Sequence, residues 1–241
     1  MKPPWTKLGK RIESMVRKSL FDYQMLEDAK SVAVAFSGGK DSLTLLLMLK
    51  AILGRGFPDL QLHAIHVSGA FSCGAGIQGG YLKKICDDLE INFIEKTSHQ
   101  KLETLECYSC SRERRKLLFD AAKEVGAEHI AFGHHKDDNI QTVLMNLLHK
   151  GEFSGQLPKL HMVDYGVTVL RPLIYISERE IEEFAKIQGF LRIMCRCPVG
   201  ANSMRKKTDQ LIESIEDLYP NARANIASAV LQYGSEKARK L

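Results

Sequence analysis

Ser37-Gly38-Gly39-Lys40-Asp41-Ser42 joins a short apolar run, Ser31 to Phe36, to a leucine-rich segment over 41–53. Its glycines let the backbone turn sharply and come close to a ligand. N–H groups freed at the start of the following helix face outward, where the helix dipole favours an anion. Ser37 and Ser42 add hydroxyl donors. The chemistry that suits this loop is capture of a phosphate chain. It is not a Walker A loop, which needs Gly-x4-Gly-Lys-Ser/Thr; here Gly39-Lys40 is followed by Asp41. A bare turn with a helix cap is the alternative, but a Lys-Asp pair buried in a turn serves no structural need.

Cys107-Tyr108-Ser109-Cys110 puts two thiols on one turn, able to grip one metal or cluster. A lone CxxC leaves zinc, an iron–sulfur cluster and a redox dithiol all open. No second CxxC completes a four-thiolate zinc site, although Cys195-Arg196-Cys197 offers a third or fourth ligand. Of the other two cysteines, Cys86 reads as a buried thiol and Cys73 lies in a loop. Basic clusters flank both cysteine segments: Arg112, Arg114, Arg115 and Lys116, then Arg192, Arg196, Arg205, Lys206 and Lys207. Such clusters suit nucleic-acid phosphates, with solvated helix faces as the rival explanation. A third constellation, Gly133-His134-His135-Lys136-Asp137-Asp138, reads as the mouth of a strand opening into a helix. Gly133 there permits close approach of a nucleotide, and Asp137 and Asp138 suit helix capping or magnesium.

The Ser-Gly-Gly-Lys-Asp-Ser loop resembles the PP-loop of the N-type ATP pyrophosphatases, which cleave ATP between the α and β phosphates and leave AMP on a substrate oxygen. The resemblance implies that residues 37–42 hold pyrophosphate, with Lys40 and Asp41 catalytic and Asp41 the contact for Mg2+. It also implies that adenine lies against the ends of the first two strands, at Ala35-Phe36 and His66-Val67. Nucleotide contacts then include Ser37, Gly38, Gly39, Asp41, Ser42, Gly133 and Asp138.

The CxxC with Arg114-Arg115, the Gly-His-His-x-Asp-Asp run and Arg171-Pro172-Leu173 occur in the order found in the tRNA 2-thiocytidine synthetase family. The resemblance runs from about residue 21 to 220. Members bind a [4Fe-4S] cluster through three cysteines, which implies Cys107 and Cys110 as two ligands. Cys197 is favoured over Cys195 as the third, because its spacing to Arg205 is shared with related thiolases; zinc in the same site stays open. The implied reaction is adenylation of a cytidine C2 oxygen, at position 32 in the family, followed by its replacement with sulfur. tRNA is then a partner, held in part by Arg114, Arg115 and Arg205, and a sulfur donor (a cysteine desulfurase or sulfide) is another. A homodimer is allowed. Lysidine synthetases share the loop without needing a CxxC, and thiouridine synthetases usually carry extra CxxC pairs. A non-catalytic nucleotide-binding iron–sulfur module is the rival from a different class.

Segments of alternating type must position these groups. Strands are expected at 31–36, 60–67, 91–94, 129–132 and 167–170, and helices at 5–26, 41–53, 78–89, 110–125, 137–149, 177–188, 202–218 and 221–234. Ser177-Glu178-Arg179-Glu180 is a capping box. Residues 151–166 read as an excursion that ends in the turn Asp164-Tyr165-Gly166. Alternation of this kind predicts an α/β, Rossmann-like parallel sheet of five strands with helices on both faces. Residues 1–190 form the expected nucleotide domain, and residues 191–241 a C-terminal helical cap that carries the third cysteine. Hydrophobic residues at 44% supply a core, and no apolar run reaches the roughly 20 residues of a membrane span. With no uninterrupted apolar stretch near the N-terminus, a cytoplasmic chain is expected. The net charge of +5 is unremarkable alone; its clustering beside cysteines carries the nucleic-acid expectation.

Overall fold

The computed structural model describes residues 6–69, 79–99, 107–190 and 204–233, with the side chains of all of these except 107 and 108. Among them α1 (Lys7–Asp22) begins where Thr6 accepts the Gly9 N–H, and it buries Ile12, Val16 and Leu20 at helical spacing. Then follow β1 (Ser31–Ala35), α2 (Lys40–Ile52), β2 (Gln61–Ser68), α3 (Gly79–Asp88), β3 (Asn92–Thr97), α4 (Cys107–Glu124) and β4 (His129–Ala131). The rest are α5 (Lys136–Lys150), β5 (Lys159–Met162), β6 (Val167–Leu170), α6 (Glu178–Gln188), α7 (Met204–Leu218) and α8 (Ala222–Tyr233).

The strands form one sheet in the order β3-β2-β1-β4-β6-β5. All neighbours are parallel except β5 and β6, which pair antiparallel from Lys159↔Leu170 to Met162↔Val167. This corrects the expected count of five strands. The segment read as an excursion folds back as an antiparallel edge, turning through Val163–Tyr165 and Gly166, whose φ is 62°. An antiparallel edge on a mostly parallel sheet is a common arrangement.

Strand residues alternate between two cores. Val32, Val34, Ala64 and Leu170 face α1, α2, α3 and α6, whereas Ala33, Ile65, Ile130 and Val169 face α4 through Leu118, Phe119 and Ala122. A third, smaller core lies off the sheet, where Ile140 of α5 meets Ile212 of α7 and Ala227 of α8. The C-terminal helices therefore pack on α5. Gly155 is wedged at that junction: an added Cβ would stand 2.3 Å from Asn139 Oδ1 and 2.7 Å from Val230 Cγ1.

β1 pairs with β2 on one side and with β4 on the other. Connections leave the carboxyl ends of β1 and β4 in opposite directions, which opens a crevice there. Ligands of open α/β sheets gather at such a point.

Candidate nucleotide and acceptor site

The loop leaving β1 lies at that crevice. Gly38 adopts φ 80°, a left-handed backbone that a side chain would strain. Gly39 is the N-cap of α2 and has no side-chain capping bond, so N–H groups of the first turn lack an intrahelical acceptor. The hydroxyls organise the turn: Ser37 Oγ lies 3.1 Å from Ser42 Oγ and accepts the Gly39 N–H at 3.3 Å, and Ser42 Oγ donates to Gly39 O at 3.1 Å. Lys40 Nζ sits 3.0 Å from Asp41 Oδ1 and 2.9 Å from Glu178 Oε1. Burial works against its charge, but those two carboxylates hold the Lys40 ammonium above the usual lysine range.

Gly133 touches this loop directly. A Cβ at Gly133 would stand 3.1 Å from both Asp41 C and Ser42 N. The close approach that glycine allows here is between the turn after β4 and the phosphate loop itself. Beyond it, His135 caps α5, with its ring accepting the Asp138 N–H at 3.4 Å while Asp138 Oδ2 accepts the His135 N–H at 3.1 Å. The cap is thus a His–Asp box and not Asp137. Asp138 Oδ1 pairs with Arg205 of α7 at 2.9 Å. Burial alone would raise the Asp138 pKa, but its contacts with His135 and Arg205 lower it.

Asp137 is buried and takes no part in capping α5. Its Oδ2 accepts the Glu178 N–H at 2.7 Å, and its Oδ1 pairs with Arg223 of α8 at 2.7 Å. Glu178, Arg223 and the guanidinium of Arg171 have no counterpart among the sequence-derived site residues. Glu178 belongs to a recognisable capping box, but its contact with Lys40 spans 138 residues, and no local pattern signals that.

On the β2 side, His66 is buried, with Nδ1 2.9 Å from Phe36 O. Burial lowers its pKa. The Phe36 N–H donates to Ile65 O at 2.8 Å, so the strand ends of Ala35-Phe36 and His66-Val67 are locked together. Arg114, partly buried, has an Nε without a hydrogen-bond partner, and Arg115 is exposed. Arg205 is 47% exposed but is turned onto Asp138.

Cys107 begins α4, three residues ahead of the expected helix start, and Cys110 follows one turn later, partly buried. Residues at i and i+3 share a helix face. Ser98, just beyond β3, donates to Glu113 Oε1 at 3.0 Å, which fixes this end of α4 at the carboxyl edge of the sheet. The backbone thus sets the two cysteine positions one turn apart at that edge. Cys73, Cys195 and Cys197 lie outside the described residues. Cys86 is buried, and burial pushes its thiol up to about 12, consistent with an inert core thiol. Among the described residues no three His, Cys, Asp or Glu side chains gather as a metal site. Asp41, a third exposed beside the loop, still fits magnesium, which takes one or two carboxylates when phosphates complete its shell. No described helix is long and apolar enough to cross a membrane.

The profile of the PP-loop domain family matches residues 6–191. The chain is 34% identical to the tRNA-cytidine(32) 2-sulfurtransferase of Dechloromonas aromatica (strain RCB) over 232 residues, covering 93% of this chain and 80% of that protein. It is 32% identical to tRNA-cytidine(32) 2-sulfurtransferase 2 of Francisella tularensis subsp. novicida (strain U112) over 234 residues, covering 93% and 91%. The solved structure of the U34-tRNA thiolase NcsA from Methanococcus maripaludis, with its [4Fe-4S] cluster, superposes with a TM-score of 0.75 over 95% of this chain and 79% of that one. Their identity is 24%, so that likeness speaks for the fold. A PP-loop match over most of the length, joined to relatives above 30% identity across nearly the whole chain, makes this protein a member of the PP-loop family in its tRNA-cytidine(32) 2-sulfurtransferase branch.

Proposed function

We propose that the chain uses ATP to adenylate the C2 oxygen of a tRNA cytidine and then exchanges that oxygen for sulfur. The observation that carries this reading is the contact of Gly133 with Asp41 and Ser42. It brings the phosphate loop and the turn after β4 to one point in the crevice between β1 and β4.

In this reading the α2 N-terminus and the Ser37 and Ser42 hydroxyls bind the β and γ phosphates. The purine faces the backbone of Ala35-Phe36 and His66-Val67, since the His66 ring is already engaged with Phe36. The C2 oxygen attacks the α-phosphorus, the α–β bridging bond breaks, and pyrophosphate departs. Lys40, together with Mg2+ at Asp41, stabilises charge developing on the phosphates. Adenylation converts a poor leaving oxygen into AMP. Lys40 must first exchange Glu178 for phosphate, and Asp138 must loosen from Arg205 if it is to reach the nucleotide.

Cys107 and Cys110 would hold a [4Fe-4S] cluster with Cys197 as third ligand, and when bound it supplies a site at which sulfur from a desulfurase or sulfide is kept beside the acceptor. Arg114, Arg115 and Arg205 would meet tRNA phosphates. A cytoplasmic location suits these substrates. A homodimer is compatible with this reading.

The test is anaerobic purification with iron and sulfide analysis, then incubation with tRNA, ATP, Mg2+ and sulfide. Pyrophosphate, AMP and 2-thiocytidine are the expected products. ATP binding with no tRNA-dependent pyrophosphate release would leave a binding module and remove the enzyme assignment.

A further inference from the structure

Among the described residues, three side-chain nitrogens at the carboxyl edge of the sheet are buried without a hydrogen-bond partner: Arg114 Nε, His134 Nδ1 and Arg171 Nε. A buried polar atom left unpaired costs on the order of 1–3 kcal/mol, and more when charged, so a water or ligand that pairs it is favoured. Arg114 exerts its field on His66 at the end of β2, on the β2 side of the loop. The other two sit on the far side of the loop.

Arg171 directly follows β6 and His134 follows β4, strands that pair through Ala131↔Leu170. Nη1 of Arg171 is anchored on Leu157 O. That leaves the Nε–Nη2 edge, the fork that grips phosphate and carboxylate oxygens in pairs. Burial and the charge of Arg115 push Arg171 down to about 10. Asp138 is the carboxylate that acts on Arg171, and it already serves Arg205 and the His135 cap. Gln156 Oε1 is also buried and unpartnered, but its amide is turned so that Nε2 donates to Thr142 Oγ1 at 3.1 Å. It does not supply the missing acceptor.

His134 stacks on Phe132 with ring centroids 5.6 Å apart and planes 12° from parallel. Burial and Arg171 press its imidazole down to about 3, so it adds no charge and forms a flat, neutral wall with one open nitrogen.

Position sets the backbone of Arg171 to one side of the triphosphate. β4 lies between β1 and β6, and strands stand about 4.8 Å apart. The backbone at Arg171 thus stands two strands from β1, on the side away from β2, while its guanidinium acts on Asp138.

We propose that Arg171, with the His134 ring as its wall, forms a second anion subsite that takes a backbone phosphate of the RNA next to the acceptor nucleotide. This rests on the tRNA reading above, and it assigns roles to Arg171 and His134.

The experiment compares anaerobically purified full-length wild type, Arg171→Lys and Arg171→Gln for tRNA affinity across a salt series and for affinity to a non-hydrolysable ATP analogue. Removing one phosphate contact should reduce the slope of log K against log[salt] by about one. For Arg171→Gln we expect that change, with tRNA binding weakened about tenfold at low salt and nucleotide affinity within twofold of wild type. Arg171→Lys should keep the wild-type slope. An anticodon stem-loop carrying one methylphosphonate linkage at successive positions around the acceptor cytidine tests the same point without a mutation. Wild type should lose affinity at one linkage, and Arg171→Gln should be indifferent to it. An unchanged slope, a loss confined to the ATP analogue, or a wild type indifferent to every linkage overturns the subsite. A wild type that binds no tRNA at any salt overturns the functional reading itself, and the subsite falls with it.

Discussion

Asp137 and Arg223 stand 86 residues apart in sequence, and their side chains meet at 2.7 Å. The carboxylate is 5% exposed and the guanidinium 23%, so both charges are largely withdrawn from water. Arg223 also reaches Glu216 at 3.0 Å and Asp209 at 3.5 Å, and these carboxylates hold its charge firmly in place. The other oxygen of Asp137 accepts the N–H that opens α6. One carboxylate thus ties α5, α6 and α8 together directly behind the phosphate loop.

Arg223→Met keeps the length of the side chain and removes its charge, leaving Asp137 buried and uncompensated. Breaking a buried pair this way costs about 3–5 kcal/mol, and the partial exposure of Arg223 brings the expectation to about 2–4 kcal/mol. Urea unfolding should show a lower midpoint with an unchanged slope. A midpoint equal to wild type would mean that the pair contributes nothing.

Glu178 competes with phosphate for Lys40. The pair lies 2.9 Å apart, with the lysine 27% and the glutamate 39% exposed. Partly exposed pairs contribute about 0.2–1 kcal/mol, which ATP must displace before Lys40 can serve it. Glu178→Gln should therefore tighten ATP binding about 1.5- to 5-fold, read as a calorimetric Kd. Weaker binding in that variant would instead make Glu178 a contributor to the nucleotide site.

Local sequence carried a large part of this structure. The apolar run 31–36, the glycine turn and the leucine-rich 41–53 segment specify a strand, a turn and a helix through neighbours alone, and β1 and α2 follow those bounds closely. The Ser177–Glu180 box likewise caps α6 as its spacing requires. Lys159-Leu160-His161-Met162 escapes a strand reading because four residues without alternating burial give little signal until β6 is there to pair with. Asp137 misled for a related reason. An aspartate at a helix start resembles a cap, yet His135 fills that role, and the true partner of Asp137 comes from α8. Glu178, Arg171 and Arg223 acquire their meaning from contacts that chain topology creates.

Gly133→Ala tests whether the two loops must touch. Its backbone is not left-handed, so the objection to a methyl group is space alone: 3.1 Å to Asp41 C and Ser42 N leaves no flexible side chain to yield. The phosphate loop must give by a few tenths of an ångström. Overpacking of this kind costs about 1–3 kcal/mol. ATP affinity should fall at least tenfold, while binding of tRNA without nucleotide should stay within twofold. Wild-type ATP affinity in this variant would show that the loop accommodates the methyl freely.

Acid should destabilise the fold well before its carboxylates titrate. Burial lowers the pKa of His63, His66, His129 and His134, the last to about 3. In the unfolded chain each takes up a proton near 6.5. Between the folded and unfolded values the unfolded state binds more protons, so stability rises with pH, by at most about 1.4 kcal/mol per pH unit for each histidine. The contribution is complete above about pH 6.5 and is lost progressively below it, down to about pH 3 for His134. Asp22, Asp138 and Glu180 have lowered pKa values, so their contributions persist until the pH falls through the ordinary carboxylate range and below. They act at the acid end of the same interval. Urea unfolding at a series of pH values from 5 to 7 should therefore give free energies that climb steadily, and His134→Gln should lower that slope by about one proton. A flat profile across that range would mean that these imidazoles are hydrated enough in the native state to charge as they do in the unfolded one.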